Sequence, residues 1–240
     1  MGGSEVTRVN RRVLMVGTLA TAAASVASPA LANMTLPQPL VWGQSVLPKG
    51  QAVWRVVLDI LDTPWTAQYE ARELGFAVNK TIPMRFTDQV TGTSARIEPW
   101  GAIFTRQGTM QQRETISKSP GEYLRIGLVS VAEGKNAGGD VLKHTSPAFT
   151  VPTGEHRIGI YRVQPQRGTS VTLPHSDLPK LVIVEQGSVS VTGKKGRVDV
   201  ATTVSNGTQY GITSSEGAHT LTATSDRAMA LVVMVGHPGV

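Results

Sequence analysis

The sequence predicts an all-β chain, and two observations carry that expectation. From Tyr161 to Gly236, short β-branched runs alternate with Gly, Pro, Ser and Asn turns. Their spacing, roughly eight to twelve residues, is that of a sandwich or small barrel. Within this stretch, LVIVEQGSVSV places Leu181 and Ile183 on one face and Val182 and Val184 on the other. Beyond Gly187, Val189 and Val191 alternate with Ser188, Ser190 and Thr192, so that one face is the drier.

Taken in order, the chain opens on Arg8, Arg11 and Arg12, followed by the apolar run VLMVGTLATAAASVASPALA. A basic region, a short apolar region and the small-residue end Ala30-Leu31-Ala32 predict an export signal over residues 1–32, cleaved after Ala32. Asn10-Arg11-Arg12-Val13-Leu14-Met15 resembles a twin-arginine signal. Its Ala-, Ser- and Thr-rich run, broken by Pro29, makes a poor membrane-spanning helix, so no stable transmembrane anchor is expected. Residues 33–50 carry Pro37, Pro39 and Pro48 and read as an extended N-terminal arm anchored by Val41 and Trp42.

A first β module is expected over 51–132. Ala52–Leu61 mixes strand and buried-helix signals, Trp65–Glu70 and Phe76–Val78 read as strands, and Tyr123–Val131 is the strongest strand of this half. Residues 133–155 read as a linker, because EGKNAGGD combines three glycines with little to bury. A second module follows over 156–236, with a short tail at 237–240. Gly193 and Gly196 are expected to form a turn that exposes Lys194 and Lys195. The two halves share a faint repeat: MQQRET and YLRIGLVSV in the first parallel HTLTAT and MALVVMVG in the second.

The 240 residues contain no cysteine, which excludes disulfides and thiolate chemistry and leaves stability to the core. The formal charge is +6; three arginines less Glu5 leave with the signal, so the remainder carries +4. Arg, Lys and aromatic residues do not interleave as a nucleic-acid track requires, so no nucleic-acid partner is expected. No GxSxG, P-loop or dinucleotide fingerprint is present. Ser170, His175 and Asp177 form no recognisable nucleophile arrangement.

Gly168-Thr169-Ser170-Val171-Thr172-Leu173-Pro174-His175, then Leu181 to Gly187, and finally Gly207 through Gly217-Ala218-His219 resemble the two motifs of the cupin family. The resemblance implies two cupin-like β-barrel modules of the double-stranded β-helix or jelly-roll type, the first of them degenerate. It also implies one divalent metal ion held by histidines and a carboxylate or, where the ligand set has been lost, none. His219 matches the second-motif histidine and His175 one histidine of the first motif. Leu173 stands where the other histidine is expected, and Lys180 falls near the carboxylate place. Asp177 and Glu185 are the remaining carboxylates that could complete a shell. Met110 occupies the corresponding second-motif place of the first module. His144, His156 and His237 lack metal-ligand spacing.

A second kind of site is aromatic. Trp54, Trp65, Trp100, Phe76, Phe86 and Phe104 are concentrated in the first module, whereas the second has no Trp or Phe. Aromatics lining a barrel cavity, with Trp54, Trp65, Trp100 and Phe104 foremost, would recognise a small apolar or aromatic ligand. The expected function is therefore ligand binding by an exported cupin-like protein. The alternatives are a metal-dependent enzyme using His175 and His219, or an assembly module pairing with a second copy through exposed strand edges.

Overall fold

The structure, a computed structural model, describes residues 33–34, 36–61, 66–71, 73–117, 119–135, 141–151, 153–174, 179–195, 198–205, 207–212 and 218–236. The expected export signal and the 237–240 tail lie outside them, as do His175, Asp177, Trp65 and His237. The described residues form one compact unit.

The first half contributes β1 (Asn33–Met34), β2 (Val41–Val46), β3 (Gln51–Leu61), β4 (Thr66–Glu70), β5 (Leu74–Asn79) and β6 (Met84–Asp88). It continues with β7 (Ser94–Ile97), β8 (Ala102–Thr105), β9 (Met110–Thr115), β10 (Gly121–Ser130), β11 (Val141–Thr145) and β12 (Phe149–Thr150). The second half contributes β13 (Glu155–Val163), β14 (Ser170–Leu173), β15 (Lys180–Gln186) and β16 (Ser188–Lys195). It ends with β17 (Val198–Ser205), β18 (Thr208–Ile212), β19 (His219–Ala223) and β20 (Met229–Gly236).

These strands make four sheets stacked as layers. The outer N-terminal sheet runs β4-β9-β6-β7 and the inner one β11-β3-β10-β5-β8, with β12 also on β3. The inner C-terminal sheet runs β18-β15-β20-β13-β2, and the outer one β1-β14-β19-β16-β17. Pairing is antiparallel except where β1 joins β14. Adding ten to each strand number converts β3-β10-β5-β8 into β13-β20-β15-β18, and β4-β9-β6-β7 into β14-β19-β16-β17. The faint repeat in the sequence therefore has a topological counterpart: MQQRET and HTLTAT occupy the same place in the two outer sheets.

Three apolar layers separate the four sheets. Between the inner sheets, Trp54, Val56, Phe76, Leu124 and Ile126 meet Ile158, Ile160, Leu181, Ile183 and Val233. Between the C-terminal sheets lie Val171, Leu173, Val182, Val184, Leu221 and Val232. A smaller cluster of Leu61, Ala77, Met84, Phe86, Ile97 and Tyr123 lies between the N-terminal sheets. Both faces of each inner sheet are covered. That explains why Ala52–Leu61 carries no clean alternation and reads partly as helix: a strand buried on both sides approaches a continuous apolar run.

Three expectations change. Part of the stretch expected as a linker is sheet: β11 and β12 both pair with β3, and Phe149 and Val151 are buried in the layer between the inner sheets. The stretch taken for an arm contains β2, whose Val41–Val46 pairs with Ile160–Glu155 of β13, so it completes the inner C-terminal sheet. Prolines flank that strand and stay out of it, as the missing amide donor demands. Gly193 is not at a turn: it lies within β16, opposite Val200. A Cβ there would collide with the His219 ring, so the strand needs glycine to admit the imidazole.

Candidate functional site

Described parts of the family-like motifs, residues 168–174 and 181–187 and His219, lie in the C-terminal half. β19 alternates buried and half-exposed residues, which turns His219, Leu221 and Ala223 inward. His219 is 7% exposed and pairs in register with Leu173 of β14. On β15, Lys180 shares the face of Val182 and Val184 and is 1% exposed. An imidazole, a lysine and a surrounding set of Val, Leu, Ala and Met side chains do not form a cation shell. Among the described residues no group of three His, Cys, Asp or Glu could hold a metal ion. The described residues of this interior supply one imidazole and no carboxylate, whereas a divalent metal needs several such donors converging on one point; His175 and Asp177 of the expected set lie outside the described residues.

Glu185 is elsewhere. It lies one residue before the end of β15, where its carboxylate faces Lys80 of the first half at 3.6 Å. Burial raises its pKa above the ordinary carboxylate value, against the opposing pull of Lys80 and Lys143. His156 bridges backbone carbonyls, with Nδ1 3.3 Å from Gly236 and Nε2 3.1 Å from Thr153. His144 lies on β11, where burial lowers its pKa.

The N-terminal interior differs in kind. Inward positions of β3, β9 and β10 carry Arg55, Asp59, Gln111, Arg113, Tyr123 and Arg125, all buried, and Glu73 joins them just before β5. Arg125 grips Asp59 with two bonds, Nε to Oδ2 at 2.7 Å and Nη2 to Oδ1 at 3.2 Å. Its Nη1 donates to Glu73 Oε1 at 2.6 Å, and the same carboxylate receives Arg55. Arg55 Nη1 also donates to the Glu133 carbonyl at 2.8 Å. Arg113 donates from Nη1 to the Tyr123 hydroxyl at 2.6 Å and from Nη2 to Gln111 Oε1 at 2.9 Å, and stands 3.7 Å from Asp59. Its guanidinium also lies over the Tyr123 and Phe86 rings, 5.0 Å and 5.6 Å from their centres.

The electrostatics follow from burial and pairing. Burial pushes the Glu73 pKa up, but Arg125 and Arg55 together outweigh it, so the carboxyl titrates below its ordinary value. Burial pushes the Tyr123 phenol well above its ordinary range, against the opposing pull of Arg113, which keeps it a neutral hydroxyl.

At the Gln111 end of this chain of contacts a cavity of about 320 Å3 opens between the outer sheet and β8. Phe86, Asp88, Ala95, Ile103, Phe104 and Gln111 line it, with threonines of the β6–β7 turn at its rim. Asp88 is turned toward its own loop, where Oδ1 accepts the amides of Val90 and Thr91 at 2.8 Å and 3.1 Å.

Of the aromatic candidates, Phe104 borders this cavity. Its ring points to the opposite side of β8, meeting Phe76 edge-on and occupying the space a Cβ on Gly43 would take. Trp54 also faces away from the cavity, buried between the inner sheets with its ring centre 6.3 Å from that of Phe149. Trp100 sits at a turn with φ of 65°, a left-handed conformation uncommon for a bulky side chain. The turn is closed by Gly101 donating to Glu98 and by Trp100 donating to the carbonyl of the buried Asn79. The charged cluster was missed in the sequence, although a signal existed. Arg55, Asp59 and Arg125 interrupt runs that are apolar on both sides, where an unpaired charge would be prohibitively costly.

Comparison with known proteins gives the fold and little else. No family model matches the chain, and no curated protein matches it. The solved structure of oxalate decarboxylase from Lactobacillus farciminis, a formate complex, superposes with a TM-score of 0.55 at 12% identity, over 88% of this chain and 89% of that one. YhaK from Escherichia coli gives 0.52 at 13%, over 82% and 94%. AerE from Microcystis aeruginosa gives 0.51 at 8%, over 82% and 97%. With the all-β layering above, these likenesses establish a cupin-like fold in general. No helix among the described residues is long and apolar enough to cross a membrane.

Proposed function

We propose that this chain is an exported, cupin-like small-molecule-binding protein whose ligand occupies the cavity of the N-terminal half. The observation that carries the proposal is the cavity itself, about 320 Å3 with Phe86, Ala95 and Ile103 as apolar wall and Gln111 as a polar contact. That size is at the lower end for small-molecule sites, and a few polar groups among apolar ones is their usual composition. Each sheet pair closes as a barrel in this proposal, with the cavity at one mouth, because small barrels keep space where side chains do not fill it. Export rests on the basic, apolar and A-x-A succession of residues 1–32.

Binding is tested with benzyl alcohol, a neutral aromatic probe, titrated into protein labelled at Ile103 and Phe86. Resonance shifts at both residues are expected in the millimolar range, and Ala95→Phe, which fills the cavity, should abolish them. Unmoved resonances would refute the site. Export is tested by the mass of the secreted form, which should correspond to cleavage after Ala32. A stoichiometric divalent ion in purified protein, lost on His219→Ala, would replace this proposal with a metal-dependent reaction in the C-terminal half.

A further inference from the structure

The chain of buried guanidiniums reaches the cavity through Gln111. We infer that the N-terminal cavity is an acid site: its ligand carries a carboxylate that takes the place of the Gln111 amide oxygen on Arg113, while its apolar body lies against Phe86 and Ile103. This holds only if the cavity binds a ligand at all, as proposed above.

Gln111 is the hinge of the inference, because it touches both compartments. Its side chain lines the cavity, and its Oε1 accepts from Arg113 Nη2 at 2.9 Å. An amide oxygen and a carboxylate oxygen make the same geometric demand on a guanidinium. The carboxylate adds the attraction of opposite charges to a bond that the Arg113 guanidinium already makes as an ionised donor, and it can take two guanidinium N–H groups at once. Gln111 is also loosely held on its other side: its Nε2 lies 3.4 Å from Thr109 Oγ1, a long contact that costs little to give up. The amide can therefore swing aside, and Nε2 can then donate to the incoming acid.

Arg113 is built to stay in place through that exchange. Its guanidinium rests against the edge-to-face pair of Phe86 and Tyr123, and the neutral Tyr123 hydroxyl accepts from its Nη1. Asp59, a carboxylate 3.7 Å from Arg113, is already gripped by two bonds from Arg125. Phe86 thus forms both the wall against which the body of the ligand packs and one of the two rings that orient the cation. Asp88, which lines the cavity, directs Oδ1 into its own turn. A fixed guanidinium one amide behind an apolar cavity recognises a compact aromatic or aliphatic monocarboxylate.

The test compares benzoate with its neutral isostere benzamide and with benzyl alcohol, using purified protein and the Ile103 and Phe86 resonances. Benzoate is expected to bind at least about tenfold more tightly than benzamide, a difference of about 1.4 kcal/mol. Gln111→Glu should keep the fold, since its carboxylate accepts the same Arg113 bond, and should weaken benzoate at least about tenfold by occupying the cation. Gln111→Ala should tighten benzoate. Equal affinity for benzoate and benzamide, or benzoate binding that survives Gln111→Glu, would overturn the acid site while leaving the cavity as a neutral-ligand site. Silence at Ile103 and Phe86 with all three probes would overturn both.

Discussion

The two halves repeat one strand order and fill it with opposite chemistry. Between the C-terminal sheets the interior is a run of Val, Leu and Ala, with Lys180 and His219 as its buried polar members among the described residues. Between the N-terminal sheets, three guanidiniums, two carboxylates, a phenol and an amide form one connected chain. The comparison teaches that strand order does not depend on what lies inside each sheet pair. It is set by backbone pairing and by the apolar layer that the inner sheets share, to which both halves contribute alike. The interior is then free to diverge. The apolar filling resembles what buried ion networks can be replaced by without loss of stability. Retention of the costlier filling next to the cavity is consistent with a role in ligand binding.

The sharpest way to break the comparison is to remove one member of the ion chain. Arg125→Met leaves Asp59 and Glu73 buried without their shared partner and is expected to cost about 3–5 kcal/mol by denaturant unfolding. Leu221→Ala in the C-terminal interior removes only packing and leaves a cavity, which should cost about 3 kcal/mol. If Arg125→Met were silent, the N-terminal interior would not be the tightly coupled network described.

Acid separates the halves next. The folded-state pKa of Glu73 is depressed, so the stability it contributes is present above the ordinary carboxylate value and is lost as pH falls through the lowered one. A stability–pH series should therefore show an acid limb that Glu73→Gln flattens. Glu185 has the opposite sign. Its pKa is raised, so its contribution is complete below the ordinary value and diminishes as pH climbs from there through the raised one, a slope that Glu185→Gln should remove. The smallest effect is expected from the Arg96–Glu98 pair, whose side chains are more than half exposed. Arg96→Ala should change stability by less than about 0.5 kcal/mol and shows what an ion pair contributes when water competes for it.

The strands themselves were legible in the sequence. Tyr123–Val131 was expected as a strand and Gly121–Ser130 is one; the alternation after Gly187 gave β16 its dry face. Hydrophobic period and turn residues act over a few positions, so a linear reading recovers them. The inward orientation of His219 and the neighbouring Leu173 also follow from alternation once β14 and β19 are paired. The N-terminal cluster could not be assembled in this way. Arg55, Glu73, Arg113 and Arg125 come from four separate places in the chain, and whether a charged strand residue faces water or an interior depends on which sheets cover it.

The sequence by itself determined an all-β chain, the absence of cysteine chemistry and a faint repeat between the halves, because local sterics, side-chain period and composition specify these. Only the tertiary structure decided that β2 joins the C-terminal sheet, that Gly193 makes room for an imidazole, and that the N-terminal interior is a guanidinium chain ending at a cavity. Those features depend on contacts between residues tens of positions apart. Burial and Coulomb energy act across such contacts, and sequence order does not record them.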